Sequence, residues 1–478
     1  MFLGIPHFLK LIITYEKYYL IKPKKCQTNL QKLLEENHLK FELPNTTQLQ
    51  NYLYRYKEKL LAENYPEVKK FLTEVCSKHY SENLNEDEMF CIFYKCQDGE
   101  VSVLLSTPAM IKNLLKQSQM QDCLIHLDAT YKLIDLGIPI IIMGTENLNH
   151  NHRHIVYFIT WSESKSSVKL MLQEMSNFLE KEFQFVFKPQ IIMTDNNDSF
   201  IYGCKEFFSH KYTHMLCHFH IEKGLKEKLA KKDLKEVQNH IRFGVKTLKN
   251  SPTYLFFKHS WTIIKPYWKQ SNVPEEFIKC FENEYVLKPV EWHYGSGFAG
   301  KSRTNNSLES ANRVLKDHYG RKAHNIKEFI SKLKDFFREL SSKEKTTFPQ
   351  NYDYDNKIKK EAEDIVAKND FLKHEKTGDL TLYYPRKGIE KIQLQEKLNF
   401  HVERPELPND INQIFDCWGN FRSIEKTRGI CNCSYYSKYG YCKHSLALQM
   451  MEGKMSDPQL KKKKTPGRKP LIKKALEK

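Results

Sequence analysis

The sequence predicts an α/β fold followed by a small metal-binding module, on three observations. From Asp122 onward, short β-branched apolar runs and amphipathic helical stretches follow one another in the order β-β-β-α-β-α. Two of those runs close on an aspartate, Asp128 and Asp195. Toward the C-terminus Cys431, Cys433, Cys442 and His444 offer four soft ligands at close spacing.

Length and composition set the frame. A chain of 478 residues is expected to divide into two to four units, and its 40% apolar and 13% aromatic content is enough to bury a substantial core. Lys and Arg outnumber Asp and Glu 76 to 58, a net charge of +18 that attracts polyanions. Nucleic acid is the leading partner. An anionic membrane is the rival, but apolar runs such as Ile138–Met143 are far shorter than the roughly 20 residues of a span, so no membrane segment is expected. The opening MFLGIPHFLKLIITYEKYY lacks a basic leader and a small-residue cleavage site, and reads as helix rather than export signal. The 12 cysteines are scattered except for the C-terminal group, which suits a reducing compartment, nucleus or cytosol.

Residues 1–105 read as a mostly helical N-terminal region. Leu49, Tyr52, Leu53, Tyr56 and Leu60 recur at helical spacing behind the start signal Pro44-Asn45-Thr46-Thr47. Arg55, Lys57 and Lys59 line the other face, either as phosphate contacts to DNA or as a solvated surface. Cys76, His79, Cys91 and Cys96 match no common finger spacing and read as ordinary thiols beside a histidine. The segments CLIHLDATYKL, IPIIIMGTENL and RHIVYFITW then predict three strands. A helix over Ser167–Glu182, a strand at QIIMTD, a helix from Asp198 to Ser209 and a strand at THMLCHFH follow. This order, with acids at strand ends, is the pattern of the ribonuclease H-like fold, here placed at residues 120–340. A Lys-rich helical stretch, about 221–290, reads as an insertion into that core, and helices resume at Asn305 and Asn325. Residues 341–410 read as a connecting region, 411–452 as the zinc module and 455–478 as a disordered basic tail. In that tail Lys461–Lys464, Arg468 and Lys469 suit nuclear import or phosphate contact.

The acids carry the chemistry. Asp128 and Asp195, each at the end of an apolar strand, are delivered to one edge of a sheet, where two close carboxylates call for a divalent cation. Glu309, on a helix opening after Thr304-Asn305-Asn306, supplies a third acid; Asp198 and Glu291 compete for that role. Three hard oxygen ligands suit two Mg²⁺ or Mn²⁺ ions, which drive in-line phosphoryl displacement and hence strand cleavage and joining. In the C-terminal module, C-x-C-x8-C-x-H fits a structural Zn²⁺ bound by Cys431, Cys433, Cys442 and His444, built from strands around IEKTRGICNCS and a helix starting near His444. Such a module binds DNA or protein, and Lys426, Arg428, Lys438 and Lys443 beside it lean toward DNA without deciding between them.

The blocks LDATYKL, IIMTDNNDSF, MLCHFHIEKGL and TNNSLESANRVLK, in that order, resemble those of the Mutator-like element (MULE) transposases, and the C-terminal motif resembles the SWIM-type zinc finger common behind that catalytic domain. The resemblance implies an Asp, Asp, Glu catalytic set at Asp128, Asp195 and Glu309. It also identifies Cys217 and His220 as the family's Cys-x-x-His pair, with a structural or substrate-positioning role; strand packing with a satisfied histidine is the plainer reading. It implies double-stranded DNA as partner, both terminal inverted repeats and target, a homo-oligomer that pairs two ends, and a nuclear location. Trp261, Trp268 and Trp292 sit among lysines, where they either stack on exposed bases, Trp292 on a flipped base near the cut, or pack a core. Two other functions fit the same residues: a domesticated, catalytically silent derivative that regulates transcription, and a ribonuclease.

Overall fold

The computed structural model describes residues 23–37, 43–97, 100–119, 123–135, 137–147, 151–230, 234–251, 254–293, 304–344, 354–369, 371–376, 379–385, 410, 421–425, 431, 433–439 and 441–453. The opening nineteen-residue segment, Lys426, Arg428 and the basic tail with Lys461–Lys464, Arg468 and Lys469 lie outside them.

The sheet is mixed and seven-stranded. Strands β1 (Phe90–Gln97), β2 (Glu100–Ser106), β3 (Leu124–Thr130), β4 (Ile140–Glu146), β5 (His152–Thr160), β6 (Ile191–Thr194) and β7 (Thr213–Leu216) stand in the order β1-β2-β5-β4-β3-β6-β7. Neighbours from β1 to β3 are antiparallel, whereas β3, β6 and β7 are parallel. The parallel pairs need crossovers, and helices α4 (Lys165–Phe183) and α5 (Asp198–Phe207) provide them.

Period-two alternation builds both faces. Ile140 and Ile142 of β4 join one core with Val103, Leu105, Tyr157 and Ile159. Ile141 and Met143 join the other with Leu104, Ile125, Leu127, Val156 and Phe158. The first core is covered by α2 (Thr46–Cys76), α10 (Asn306–His318) and α11 (Ile326–Glu344), through Leu72, Leu308, Leu315, Phe329 and Leu333. The second is covered by α3 (Pro108–Ser118), α4 and α5, through Ile111, Leu114, Val168, Met171, Met175 and Phe200. Burial on both faces explains why β4 is apolar without a solvent stripe.

The N-terminal region differs from expectation. It opens helically, with α1 (Pro23–Glu36) and then α2, which starts as the sequence predicts: Asn45 and Gln48 form a reciprocal capping box. Residues 90–106, however, form the hairpin β1-β2, which extends the sheet beyond β5. Only Val101, Val103 and Leu105 carry a clear alternation there, a signal too short to stand out beside a 31-residue helix. Cys76, Cys91 and Cys96 are buried in the first core, in keeping with plain thiols. The second difference lies at THMLCHFH, where the strand stops at Leu216 and Cys217 opens α6 (His218–Leu229).

Helix α6, with α7 (Gln238–Lys249), α8 (Tyr254–Gln270) and α9 (Glu275–Tyr285), packs the helical insertion around Ile241, Ile264, Trp268, Phe281 and Trp292. The chain then returns beside β7, where the Glu291 N–H donates to the His214 carbonyl at 2.8 Å and the Leu216 N–H donates to that of Glu291 at 2.9 Å. Trp261, Trp268 and Trp292 are 5%, 0% and 1% exposed, each buried in the core of the insertion. Each indole N–H is engaged inside the insertion, Trp292 with the Tyr285 carbonyl at 2.7 Å.

At the C-terminal end, α12 (Asn356–Lys368), β8 (Leu372–Lys376), β9 (Asp379–Pro385), β10 (Phe421–Glu425), α13 (Ser434–Tyr439) and α14 (Lys443–Met451) form one body. A sheet ordered β10-β9-β8 packs Tyr384 and Ile424 against Cys431 and Cys442, and α12 packs Ile358 and Ala362 on Leu446 and Ala447 of α14. Much of the stretch read as a connector thus supplies the walls of the cysteine-bearing unit. Among the described residues no helix is long and apolar enough to cross a membrane.

A close helix crossing on the second face generates a test. A Cβ on Gly203 of α5 would stand 2.7 Å from Val168 Cβ and 3.0 Å from the Lys165 carbonyl oxygen of α4. Gly203→Ala should therefore destabilise the fold by about 1–3 kcal/mol despite its better helix propensity, seen as a lower midpoint in thermal unfolding. A higher midpoint would mean that the two helices are not held this closely.

Candidate active site and metal-binding cluster

Parallel pairing of β3 with β6 aligns His126 with Met193. Two residues further along each chain, that register sets Asp128 across from Asp195 at the carboxyl edge of the sheet. Helix α10 docks against this edge. The Asn312 side-chain amide donates to Asp128 Oδ2 at 2.6 Å, and Glu309 lies one turn earlier on the same helix. Asn305 holds the N-cap position without capping through its side chain. Its Oδ1 instead meets Nδ1 of buried His126 at 2.6 Å, and its backbone N–H donates to Cys217 Sγ at 3.0 Å. The start of α10 is thus tied to β3 and to the start of α6 at once.

Charge crowds at this edge. Burial pushes the Asp128 carboxyl up to about 7, helped by the facing charges of Asp195, Glu309 and Glu163 and opposed by the Ala129 N–H. Asp195 is raised by burial, while the Asn197 N–H and Lys288 pull it back. Glu309 is raised by burial against Lys223. Glu163 also reaches about 7, through burial and then Asp195, with the Asn197 side chain donating to it. Asp195 Oδ1 and Glu309 Oε1 are buried without a hydrogen-bond partner. Orphaned carboxylate oxygens among like charges are what a hard divalent cation compensates, so Mg²⁺ or Mn²⁺ fits this donor set.

Of the three acids weighed for the third position, Glu309 is the one whose charge reaches Asp128. Asp198 sits in the first turn of α5, its side chain 65% exposed and paired with Lys288 at 2.5 Å. Glu291 lies beside β7, 3.5 Å from His293. Glu309 nonetheless has closer company than the aspartates: His220 Nε2 is 3.5 Å from its Oε1, and ligand atoms of Cys217, His220 and Glu309 all lie within 4.8 Å of one another. Among the described residues Asp128, Asp195 and Glu309 form no grouping that tight.

Sequence reading missed Glu163 and Asn312. Glu163 follows β5 in Trp161-Ser162-Glu163-Ser164, which reads as a routine helix start because Ser164 caps α4. Asn312 carries no signal beyond its place three residues after Glu309.

The second site lies in the C-terminal body. Cys431, Cys433, Cys442 and His444 are all buried, with ligand atoms within 4.8 Å of one another, and could hold a zinc ion. His444 Nδ1 is 3.5 Å from Cys431 Sγ and 3.7 Å from Cys442 Sγ. Backbone N–H groups of Tyr436 and Ser445 donate to Cys433 Sγ and Cys442 Sγ, which favours thiolates. Cys442 caps α14, so folding of that helix sets both Cys442 and His444.

Residues 124–224 match the family model of the MULE transposase domain. That span runs from the start of β3 through both aspartates and past His220 into α6. Comparison with curated proteins finds no match.

The crowding predicts a pH-dependent response. A carboxyl raised from its ordinary 3.8 to about 7 binds its proton more tightly in the folded chain, so folding loses stability as pH rises through that interval. Without divalent ions, Asp128→Asn should stabilise the protein by about 1–2 kcal/mol at pH 8, a figure discounted for partial solvent exposure, with the gap closing toward pH 4. Thermal unfolding at the two pH values reads this directly; an equal or lower midpoint at pH 8 would show that burial and the facing acids do not disfavour the Asp128 carboxylate.

Proposed function

We propose that this chain, which carries a MULE transposase domain, is a DNA transposase of the Mutator-like type, cutting and joining duplex DNA with Asp128, Asp195 and Glu309. The observation that carries the reading is the raised, partly orphaned carboxylate group at one sheet edge, with both aspartates inside the matched span and Glu309 well after its end. Three antiparallel strands followed by two parallel ones through helical crossovers support a ribonuclease H-like core, with β1-β2 added outside it.

Asp128, Asp195 and Glu309 would hold the divalent ions; bound there, Mg²⁺ or Mn²⁺ supplies activation of water or a 3′-hydroxyl and stabilises the leaving oxygen. Asn312 fixes the Asp128 carboxylate, and His126 with Asn305 fixes the helix that carries Glu309. Glu163, held by Asn197, stands ready to take or release a proton near neutral pH. A cavity of about 660 Å³ lined by α6 and α7 carries Lys226, Arg242, Lys246 and Lys249, the last paired with Glu222, and is read as a surface for the DNA backbone. The Cys431, Cys433, Cys442 and His444 cluster is read as a structural SWIM-type zinc site, and nuclear residence and a homo-oligomer pairing two element ends complete the proposal.

One assay tests the activity. Incubated with Mn²⁺, the protein should cleave labelled duplex DNA, and Asp128→Asn, Asp195→Asn or Glu309→Gln should lower the rate by ~10²-fold or more. Cleavage confined to RNA would make it a ribonuclease, and binding without cleavage a regulator. For the cavity rim, Lys226→Ala and Arg242→Ala should each lower the slope of log affinity against log salt by about 1, whatever the DNA sequence; an unchanged slope would place the DNA elsewhere. For the C-terminal cluster, Cys433→Ser should release its zinc and open residues 354–453 to protease, and a protease-resistant, metal-free variant would contradict a structural role.

A further inference from the structure

Cys217, His220 and Glu309 make a cluster that the strand-cleavage chemistry does not use as a unit. Cys217 stands at the N-cap of α6 and His220 one turn later, so both face the same side. Glu309 arrives from α10, whose start is anchored to the cysteine itself through the Asn305 N–H. The backbone N–H of Asn305 donates to the sulfur at 3.0 Å, as around a metal-bound thiolate. His220 Nδ1 and Glu309 Oε1 are both buried without a hydrogen-bond partner.

We propose that Cys217, His220 and Glu309 form a second zinc site, with three protein ligands and one open coordination position. A thiolate, an imidazole and a carboxylate together select a borderline-soft ion over Mg²⁺. Three protein ligands with the fourth position free is the arrangement of zinc sites that still admit water or a substrate oxygen. The His220 and Glu309 side chains, each 26% exposed, leave that position reachable from solvent. The ion would also pin α6 to α10, and so hold the insertion against the edge that carries the aspartates. The site shares Glu309 with the strand-cleaving set, and its ligation does not require that reading.

The test is zinc content of the full-length protein after exhaustive dialysis, measured by atomic emission. The wild type should carry about two ions per chain, Cys433→Ser about one, and Cys217→Ser/His220→Ala about one. Replacement of zinc by Co²⁺ in Cys433→Ser should give a single-thiolate charge-transfer band that disappears when Cys217→Ser is added. Should the double variant unfold, His220→Asn alone, with an unchanged far-ultraviolet spectrum, should weaken the second ion by more than about tenfold. About one ion in the wild type and none in Cys433→Ser would overturn the proposal, as would zinc content or affinity that ignores changes at Cys217 and His220. The two readings fail separately: about one ion with duplex cleavage intact removes this site alone, and about two ions without cleavage removes only the strand-cleavage reading.

Discussion

Four carboxylates, Asp128, Asp195, Glu309 and Glu163, are gathered at the carboxyl edge of a sheet that is buried on both faces, and the burial of their charge, with Asp195, Glu309 and Glu163 facing Asp128, is the constraint around which the rest of the molecule is arranged. A fold does not gather buried like charges without an outlay in stability. Here the two apolar cores sandwiching β4 and β3 hold the strands in register, and Asn312 and the His126–Asn305 contact hold α10 against them. The charges are therefore kept in place by packing elsewhere, which is the usual relation between a strained site and its scaffold.

Most of the core was legible because its signals were strong and local. Runs such as LIHLD and IIMTD are too apolar for a surface and too short for a helix, and the helix boundaries at Ser164 and Asn197 follow ordinary capping chemistry. The hairpin β1-β2 was not legible, since its alternation is brief and its pairing partner β5 lies some 50 residues away in sequence, a relation that periodicity cannot carry. The switch at Cys217 from strand to helix escaped for a related reason: MLCHFH is apolar at both periods, and tertiary contacts with Asn305 and Trp292 decide it.

At the candidate site, Asp128 and Asp195 could be placed from their strand ends, but their company could not. Glu163 contributes charge from a loop that looks like a simple cap, and Glu309 lies nearer to His220 than any one-dimensional spacing indicates. The tryptophans show the converse. Their lysine neighbours suggest a base-stacking surface, whereas the three-dimensional packing of α8 and α9 encloses all three rings. Composition reports what surrounds a residue along the chain, and burial depends on what surrounds it in space.

The carboxylate edge is proposed as a divalent-cation site. Titration of the full-length protein with Mn²⁺, followed by the loss of the free-ion electron paramagnetic resonance signal, tests it without reference to any DNA substrate. Saturable binding is expected, weakened by more than about tenfold in each of Asp128→Asn and Asp195→Asn and unchanged in Asp198→Asn. Mn²⁺ binding that survives both Asp128→Asn and Asp195→Asn would contradict it.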